Sequence, residues 1–224
     1  MDHPRHAPAA SPAKMDETAK KRHIDEPIVD EATFVRVLRT AVEALKNAGI
    51  EHMLMGGIAS TLLGRKRWTH DIDVFVREDD AKHALEVLHG AGFATQETFE
   101  DWLYKAIRDR VLVDIIFAST GGITVDDEMI ARSVTGEWAD IPVRVIGPED
   151  LVVIKALADS EESPRHFHDA VAVLERTPLD WDYFNRRAEP QPARVASVLL
   201  YARSEGVDVP FERIRHFIDL AGSA

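Results

Sequence analysis

The spacing of apolar side chains divides the chain from residue 31 onward into alternating helices and strands. Apolar residues recur three and four positions apart over residues 31–47 and stop before Gly49, which predicts an amphipathic helix ended by glycine. Over residues 71–76 β-branched residues alternate with aspartates, which predicts a strand. The same reasoning predicts further strands over residues 52–55, 102–108, 111–117 and 141–146, and further helices over residues 58–63, 79–90, 148–158 and 164–175.

These elements predict an α/β (α+β) fold in which a mixed sheet is flanked by helices. The turn Asp109-Arg110 joins two of the strands, and this core extends over residues 25–178. Residues 179–224 carry two apolar stripes at helical spacing, which predicts a small C-terminal helical annex. Residues 1–24 mix proline, alanine and isolated charges without a period, which predicts a flexible tail.

Composition limits the classes of function. Hydrophobic residues make up 45% of the chain and charged residues 29%, as in globular proteins, and no apolar run approaches the ~18 residues of a membrane helix. The absence of cysteine excludes disulfides, thiolate nucleophiles and cysteine zinc sites, and without a secretory signal we expect a cytoplasmic protein with no membrane partner. The net charge of -12 argues against broad nucleic-acid binding, although a single RNA end could still be held locally.

Three aspartates on two predicted strands are candidate metal ligands. Asp71 and Asp73 are two residues apart, so their side chains leave the same face of their strand. Asp114 is the one charged residue in an otherwise apolar strand, and an ionised carboxylate there needs a partner or a metal. If the two strands are neighbours, the three carboxylates form a hard-oxygen site suited to Mg²⁺ or Mn²⁺. The alternative is that Asp114 forms an ion pair with a nearby basic residue, namely Lys105, Arg108 or Arg110.

A glycine pair precedes the first two aspartates at a predicted strand-to-helix turn. Gly56 and Gly57 would let a ligand approach the backbone, and exposed N–H groups at a helix start attract phosphate. Ser60 could add a hydroxyl to such a phosphate site. The alternatives are a simple tight turn for the glycines and a hydrogen bond within the helix start for the serine.

The motifs from Gly56 to Ser60 and from Arg67 to Val74 resemble the signature of the polymerase-beta-type nucleotidyltransferase superfamily. Within it, they are similar to the bacterial minimal nucleotidyltransferases, including the abortive-infection toxin group. The resemblance implies a nucleotidyltransferase-type mixed sheet over residues 25–178. It further implies a triphosphate held by Gly56 and Gly57, two Mg²⁺ ions held by Asp71, Asp73 and Asp114, and an Arg-x-Thr element at Arg67 and Thr69.

The resemblance continues downstream, where two segments are similar to the Lys motif and the Arg…Asp motif of the toxin subgroup. It implies that Lys155 contacts nucleotide phosphate and that Arg165 and Asp169 stand near the nucleotide pocket. The alternatives are a solvated lysine and an ordinary i,i+4 ion pair between Arg165 and Asp169. The four tryptophans show no spacing typical of a base-stacking platform, so we expect core or interface positions for them.

Together these observations predict metal-dependent transfer of an NMP from an NTP such as ATP to an acceptor. The resemblance allows an RNA 3′ end, a protein or a small molecule as acceptor, and an antitoxin as a possible partner. The alternatives are an inactive nucleotide-binding or toxin–antitoxin protein of the same fold, an Asp-x-Asp glycosyltransferase, and an interaction protein whose carboxylates are surface charge. Too few residues precede Asp71 for the βαβ region that a glycosyltransferase would need.

Overall fold

The computed structural model describes residues 29–98, 101–160 and 165–223. The predicted tail over residues 1–24 lies outside these ranges. The strands in the described ranges are β1 (His52–Leu54), β2 (Asp71–Val76), β3 (Ala94–Glu97), β4 (Leu103–Arg108), β5 (Val111–Ile116), β6 (Val134–Trp138) and β7 (Ile141–Val145). The helices in the described ranges are α1 (Glu31–Asn47), α2 (Gly56–Leu63), α3 (Glu78–Gly90), α4 (Asp127–Ala131), α5 (Pro148–Ala158), α6 (Arg165–Arg176), α7 (Trp181–Ala188), α8 (Pro192–Ser204) and α9 (Phe211–Ser223). Within the described residues, no helix has the length and apolar character needed to cross a membrane.

All strands form one mixed sheet in the order β3-β4-β5-β2-β1-β7-β6. Strand β2 runs parallel to β5, and β1 runs parallel to β7, while the other neighbours are antiparallel. The mixed α/β fold predicted from the sequence is therefore confirmed. The two aspartate-bearing strands are direct neighbours near the middle of the sheet, which brings their polar positions onto one surface.

Local sequence accounts for several of the element boundaries. The Asp30 side chain accepts a hydrogen bond from the Thr33 backbone N–H and so caps the start of α1. The predicted turn between β4 and β5 adopts positive φ at both Asp109 (50°) and Arg110 (66°), as a two-residue hairpin turn requires. Helix α2 begins earlier than predicted, at Gly56, so the glycine pair forms the first helical turn and does not precede the helix.

Three short elements, β3, α4 and β6, are not predicted by the sequence patterns. Strand β3 is almost wholly exposed and pairs only with β4, so it has no buried face and no alternating pattern. Strand β6 is likewise an edge strand, paired only with β7. Helix α4 has five residues, which is too few for a helical period to be recognised.

The helices after residue 178 pack onto the core through a buried polar contact as well as apolar side chains. The Tyr183 hydroxyl donates to Asp150 Oδ2 at 2.7 Å, and Arg187 Nε donates to Asp150 Oδ1 at 2.6 Å. Phe184 and Phe217 belong to the same buried cluster as the residues of the sheet. Because Asp150 lies on α5, the annex is connected to the helix that also carries Lys155.

Candidate active site

The register between β2 and β5 brings the three predicted aspartates onto one face of the sheet. Asp73 lies directly opposite Asp114, and Asp71 lies opposite Leu112, one step along the same face. We call Asp71, Asp73 and Asp114 the carboxylate triad. Burial, followed by the negative charges of Asp71 and Asp114, raises the pKa of Asp73 to about 7. The triad thus concentrates negative charge that a cation would stabilise.

The start of α2 packs directly against this triad. Gly56 has φ +55°, and a Cβ placed on it would lie 1.7 Å from Asp73 Oδ2, so only glycine fits there. A Cβ on Gly57 would lie 2.2 Å from Thr69 Oγ1. The Thr69 hydroxyl in turn donates to Asp71 Oδ1 at 2.7 Å. The two glycines therefore let backbone N–H groups at a helix N-terminus approach the carboxylates without an intervening side chain.

Asp114 also has a basic neighbour on the adjacent strand. Lys105 on β4 lies opposite Asp114, with its Nζ 3.4 Å from Asp114 Oδ1, so this predicted alternative partner is present. Over residues 29–98, 101–160 and 165–223, no group of three or more His, Cys, Asp or Glu side chains is close enough to hold a metal ion. The triad shares one face, but its oxygens do not yet converge on one point.

A second cluster of charges surrounds Asp169, which is fully buried on α6. Arg67 donates to both oxygens of Asp169, from Nε at 3.2 Å and from Nη2 at 3.0 Å, and Lys155 Nζ donates to Oδ2 at 3.2 Å. Arg65 Nε lies 3.6 Å from Oδ1. Burial alone would raise the pKa of Asp169, but the charges of Lys155 and Arg67 outweigh it and lower the pKa. The buried carboxylate thus holds basic side chains from two distant segments.

Two alternatives from the sequence are wrong at this cluster. Lys155 is not a solvated surface lysine, since only 4% of the residue is exposed and burial lowers its pKa. The second alternative was an i,i+4 ion pair between Arg165 and Asp169. Instead, Asp169 forms ion pairs with Arg65, Arg67 and Lys155. The reason is the orientation of α6, which buries Asp169 and leaves Arg165 exposed.

Ser60 does not take the position predicted for it. Its side chain is fully buried, and its hydroxyl donates to the Gly56 carbonyl at 2.7 Å, one turn earlier in α2. The hydroxyl is therefore used within the helix, as the alternative interpretation expected, and Ser60 does not line the cavity beside the triad. The sequence could not show which side of such a short helix faces the ligand.

A cavity of about 410 Å³ opens beside the triad. It falls within the range of about 300–1,000 Å³ that is typical of small-molecule sites. Its polar lining includes the two glycines of α2, two members of the triad, and basic side chains, namely Gly56, Gly57, Asp71, Asp73, Arg67, Lys155, Arg165 and His166. A cavity of similar size, about 420 Å³, lies between α1 and β7 and contains no triad residue. The cavity beside the carboxylate triad is therefore the candidate active site.

Two tryptophans that the sequence assigned to the core or an interface line the candidate cavity instead. Trp68 is 40% exposed and Trp102 is 44% exposed, and both face the cavity. Trp68 lies in the segment between α2 and β2. Trp102 was the first residue of a predicted strand, but β4 begins one residue later, at Leu103. The exposure of Trp68 and Trp102 therefore depends on the path of the backbone before β2 and β4.

The model of the family described as "Nucleotidyl transferase of unknown function (DUF2204)" matches residues 34–201, most of the chain. Among curated proteins, none matches the chain.

Several solved structures are similar to the chain. The solution structure of the antibiotic-resistance factor ANT(2'')-Ia is 18% identical, covering 87% of this chain and 94% of its own, with a TM-score of 0.48. The lincomycin-bound lincosamide antibiotic adenylyltransferase LnuA is 13% identical, covering 66% of this chain and 99% of its own, with a TM-score of 0.47. An antigenic nucleotidyltransferase-like protein from Paracoccidioides brasiliensis is 16% identical, covering 80% of this chain and 91% of its own, with a TM-score of 0.48.

Proposed function

This chain belongs to the nucleotidyl transferase family DUF2204, and from that premise we propose that it moves an NMP from an NTP to an acceptor hydroxyl with the aid of divalent cations. The observation that supports the proposal most directly is the register of β2 and β5, which sets Asp73 opposite Asp114 beside the start of α2. A hard-oxygen donor set next to backbone N–H groups suits a metal-bound triphosphate.

The carboxylates fit a divalent cation chemically, although they must rearrange to bind one. Their donors are all carboxylate oxygens, which Mg²⁺ and Mn²⁺ prefer. The pKa of Asp73 is raised first by burial and then by the charges of Asp71 and Asp114, and a cation would relieve that repulsion. Asp71 and Asp73 would hold the cations, with Asp114 as a further ligand, and a cation there would compete with Lys105, whose Nζ lies 3.4 Å from Asp114 Oδ1. When bound, the cations would polarise the reacting phosphate and neutralise the charge that develops on the leaving pyrophosphate.

The remaining residues bind and orient the substrates. The N–H groups of Gly56 and Gly57 would donate hydrogen bonds to the triphosphate at the start of α2. Lys155 and Arg165, which also line the cavity, would neutralise its charge. Arg67 and Asp169 do not contact the substrate directly in this proposal, because their charges are joined to each other and to Lys155. They position the Lys155 ammonium.

Asp114 is the residue that we assign to the acceptor. It stands on the side of the triad that is farther from α2, so an acceptor hydroxyl could approach it while the triphosphate occupies the α2 side. There it would accept the hydroxyl proton as the oxygen attacks the α-phosphorus and pyrophosphate leaves. The acceptor itself is a small molecule, a protein side chain or an RNA 3′ end, and the acidity of the chain favours the first two.

The test is transfer of label from each α-labelled NTP, with Mg²⁺ or Mn²⁺, to separate pools of cellular RNA, protein and small molecules. Wild type should label one pool, and the double variant Asp71→Asn/Asp73→Asn should label none. Asp208→Asn, an exposed position in the annex, is the matched control and should retain full transfer. Transfer that survives the double substitution would refute the mechanism.

A second candidate function is nucleotide binding without turnover, as the partner of an antitoxin. The Lys105 contact with Asp114 favours it, because this cation already occupies the carboxylate that the acceptor would use. In that case the protein would bind NTPs in the cavity but label no pool in the same assay, whichever divalent metal is supplied.

A further inference from the structure

The two exposed tryptophans of the cavity have no role in the transfer chemistry described above. Large aromatic side chains are costly to leave in water, and where they line a concave site they usually contact a ligand. Trp68 and Trp102 are the tryptophans with more than a third of their surface exposed in the described parts of the chain, and both line the cavity that contains Asp71 and Asp73. A ligand with a flat apolar surface would fit against these two side chains.

Trp68 is held so that it offers its ring and not its polar atom. Its indole Nε1 donates to His70 Nδ1 at 3.1 Å, which satisfies the one hydrogen-bond donor of the side chain. Phe34 of α1 packs against the indole, with ring centroids 5.9 Å apart. The Trp68 side chain is therefore supported by its neighbours, and what it presents to a ligand is aromatic surface.

Trp102 is fixed through its backbone to the end of β5. Its carbonyl accepts hydrogen bonds from the backbone N–H groups of Phe117 at 3.0 Å and Ala118 at 3.3 Å. This places the second indole beside the strand that carries Asp114, while 44% of the residue stays exposed. Trp68 thus precedes the start of β2, Trp102 lies beside the end of β5, and both residues line the same cavity.

The polar lining explains which part of a nucleotide is left for the indoles. The glycine N–H groups, Lys155 and Arg165 suit the triphosphate, and the carboxylates suit its cations. Among the described residues that line the cavity there is no Asn or Gln, the side chains that most readily read the edge of a base by paired hydrogen bonds. The exposed aromatic surface that the cavity offers a base includes the two indoles.

We propose that Trp68 and Trp102 bind the nucleobase of the NTP by stacking, and that they select purine over pyrimidine nucleotides without separating adenine from guanine. This inference rests on the proposed function, because it assumes that an NTP occupies the cavity. Stacking grows with the overlap of the rings and tolerates any base, so two-ring bases gain most.

The test compares nucleotides with inorganic tripolyphosphate, which shares their phosphates but has no base. Binding to the full chain is measured by calorimetry with Mg²⁺ for wild type, Trp68→Ala, Trp102→Ala and the conservative Trp68→Phe. We expect each alanine variant to lower ATP and GTP affinity by about 5- to 100-fold, the range that alanine substitution gives for base–aromatic stacking. Tripolyphosphate affinity should stay within about two-fold, and Trp68→Phe should recover most of the loss.

Phe211→Ala is the matched control, because Phe211 is an aromatic residue of the annex that is 51% exposed and does not line the cavity. It should leave every affinity unchanged. Equal losses for ATP and tripolyphosphate in the tryptophan variants would show a general structural effect and overturn the inference, as would CTP and UTP binding as tightly as ATP. If wild type binds tripolyphosphate as tightly as it binds ATP, the stacking inference is wrong while the proposed function stands. If wild type binds neither tripolyphosphate nor ATP, both are wrong.

Discussion

The buried charge cluster around Asp169 allows a quantitative prediction. Asp169→Asn keeps the shape of the side chain but removes the negative charge that Lys155 and Arg67 share. Arg67 can turn toward water, because 20% of its side chain is exposed, whereas the Lys155 side chain is only 5% exposed. The variant therefore leaves one ammonium group buried without a full counter-charge.

The cost of that change can be worked from general values. Removing one partner of a buried ion pair typically lowers the free energy of unfolding by about 3–5 kcal/mol. For a chain of this size, each kcal/mol lowers the Tm by about 2–4 °C, so Asp169→Asn should lower the Tm by about 6–20 °C. Asp109→Asn is the matched control, since it removes the charge from an exposed pair with Arg36, and it should change stability by less than about 1 kcal/mol.

The physical reasoning is checked by a second substitution in the same cluster. Lys155→Met removes the stranded ammonium, so the double variant Asp169→Asn/Lys155→Met should regain at least half of the lost stability. Thermal and urea unfolding of the four species, followed by circular dichroism, give the coupling between the two sites. A double variant no more stable than Asp169→Asn alone would show that the stranded charge is not the cause, and the argument would be wrong.

Three further predictions concern the site. Gly56→Ala should abolish divalent-cation binding and destabilise the fold, because the new Cβ would lie 1.7 Å from an oxygen of the carboxylate triad. Gly49 has a similar positive φ, but a Cβ there meets open space. Gly49→Ala is therefore the control, and it should bind Mn²⁺ normally in titrations. Lys105→Met should tighten Mn²⁺ binding about three-fold by removing a competing cation, and the exposed Lys82→Met should not, so equal effects of the two would contradict the assignment. The pKa of His166 is lowered to about 4 by burial and then by two neighbouring positive charges, so its ring signals should not titrate between pH 5 and 8 in NMR spectra. Because the unfolded chain takes up this proton near the ordinary pKa of 6.5, stability should fall as the pH drops from 6.5 toward 4, and less so in His166→Gln.

Much of the local structure could be predicted because it depends on neighbouring residues. Helix α1, strand β2 and helix α5 begin and end at the predicted residues. Each has a long or regular apolar pattern with a distinct boundary residue, such as the proline that opens α5. The predicted metal site required the two aspartate strands to be neighbours, and the order of strands in the sheet meets that condition.

What the sequence alone determined is therefore most of the longer elements, the mixed fold and the shared strand face of Asp71 and Asp73. The tertiary structure decided that Lys155 is buried, that Asp169 joins Arg67 across 102 residues of sequence, and that the tryptophans open into the cavity. The physical reason is range: helical and strand periods are set by residues a few positions apart, and can be read along the chain. The partner of a charge and the exposure of a loop side chain are set by whichever distant segments pack against them, and these meet only in the folded protein.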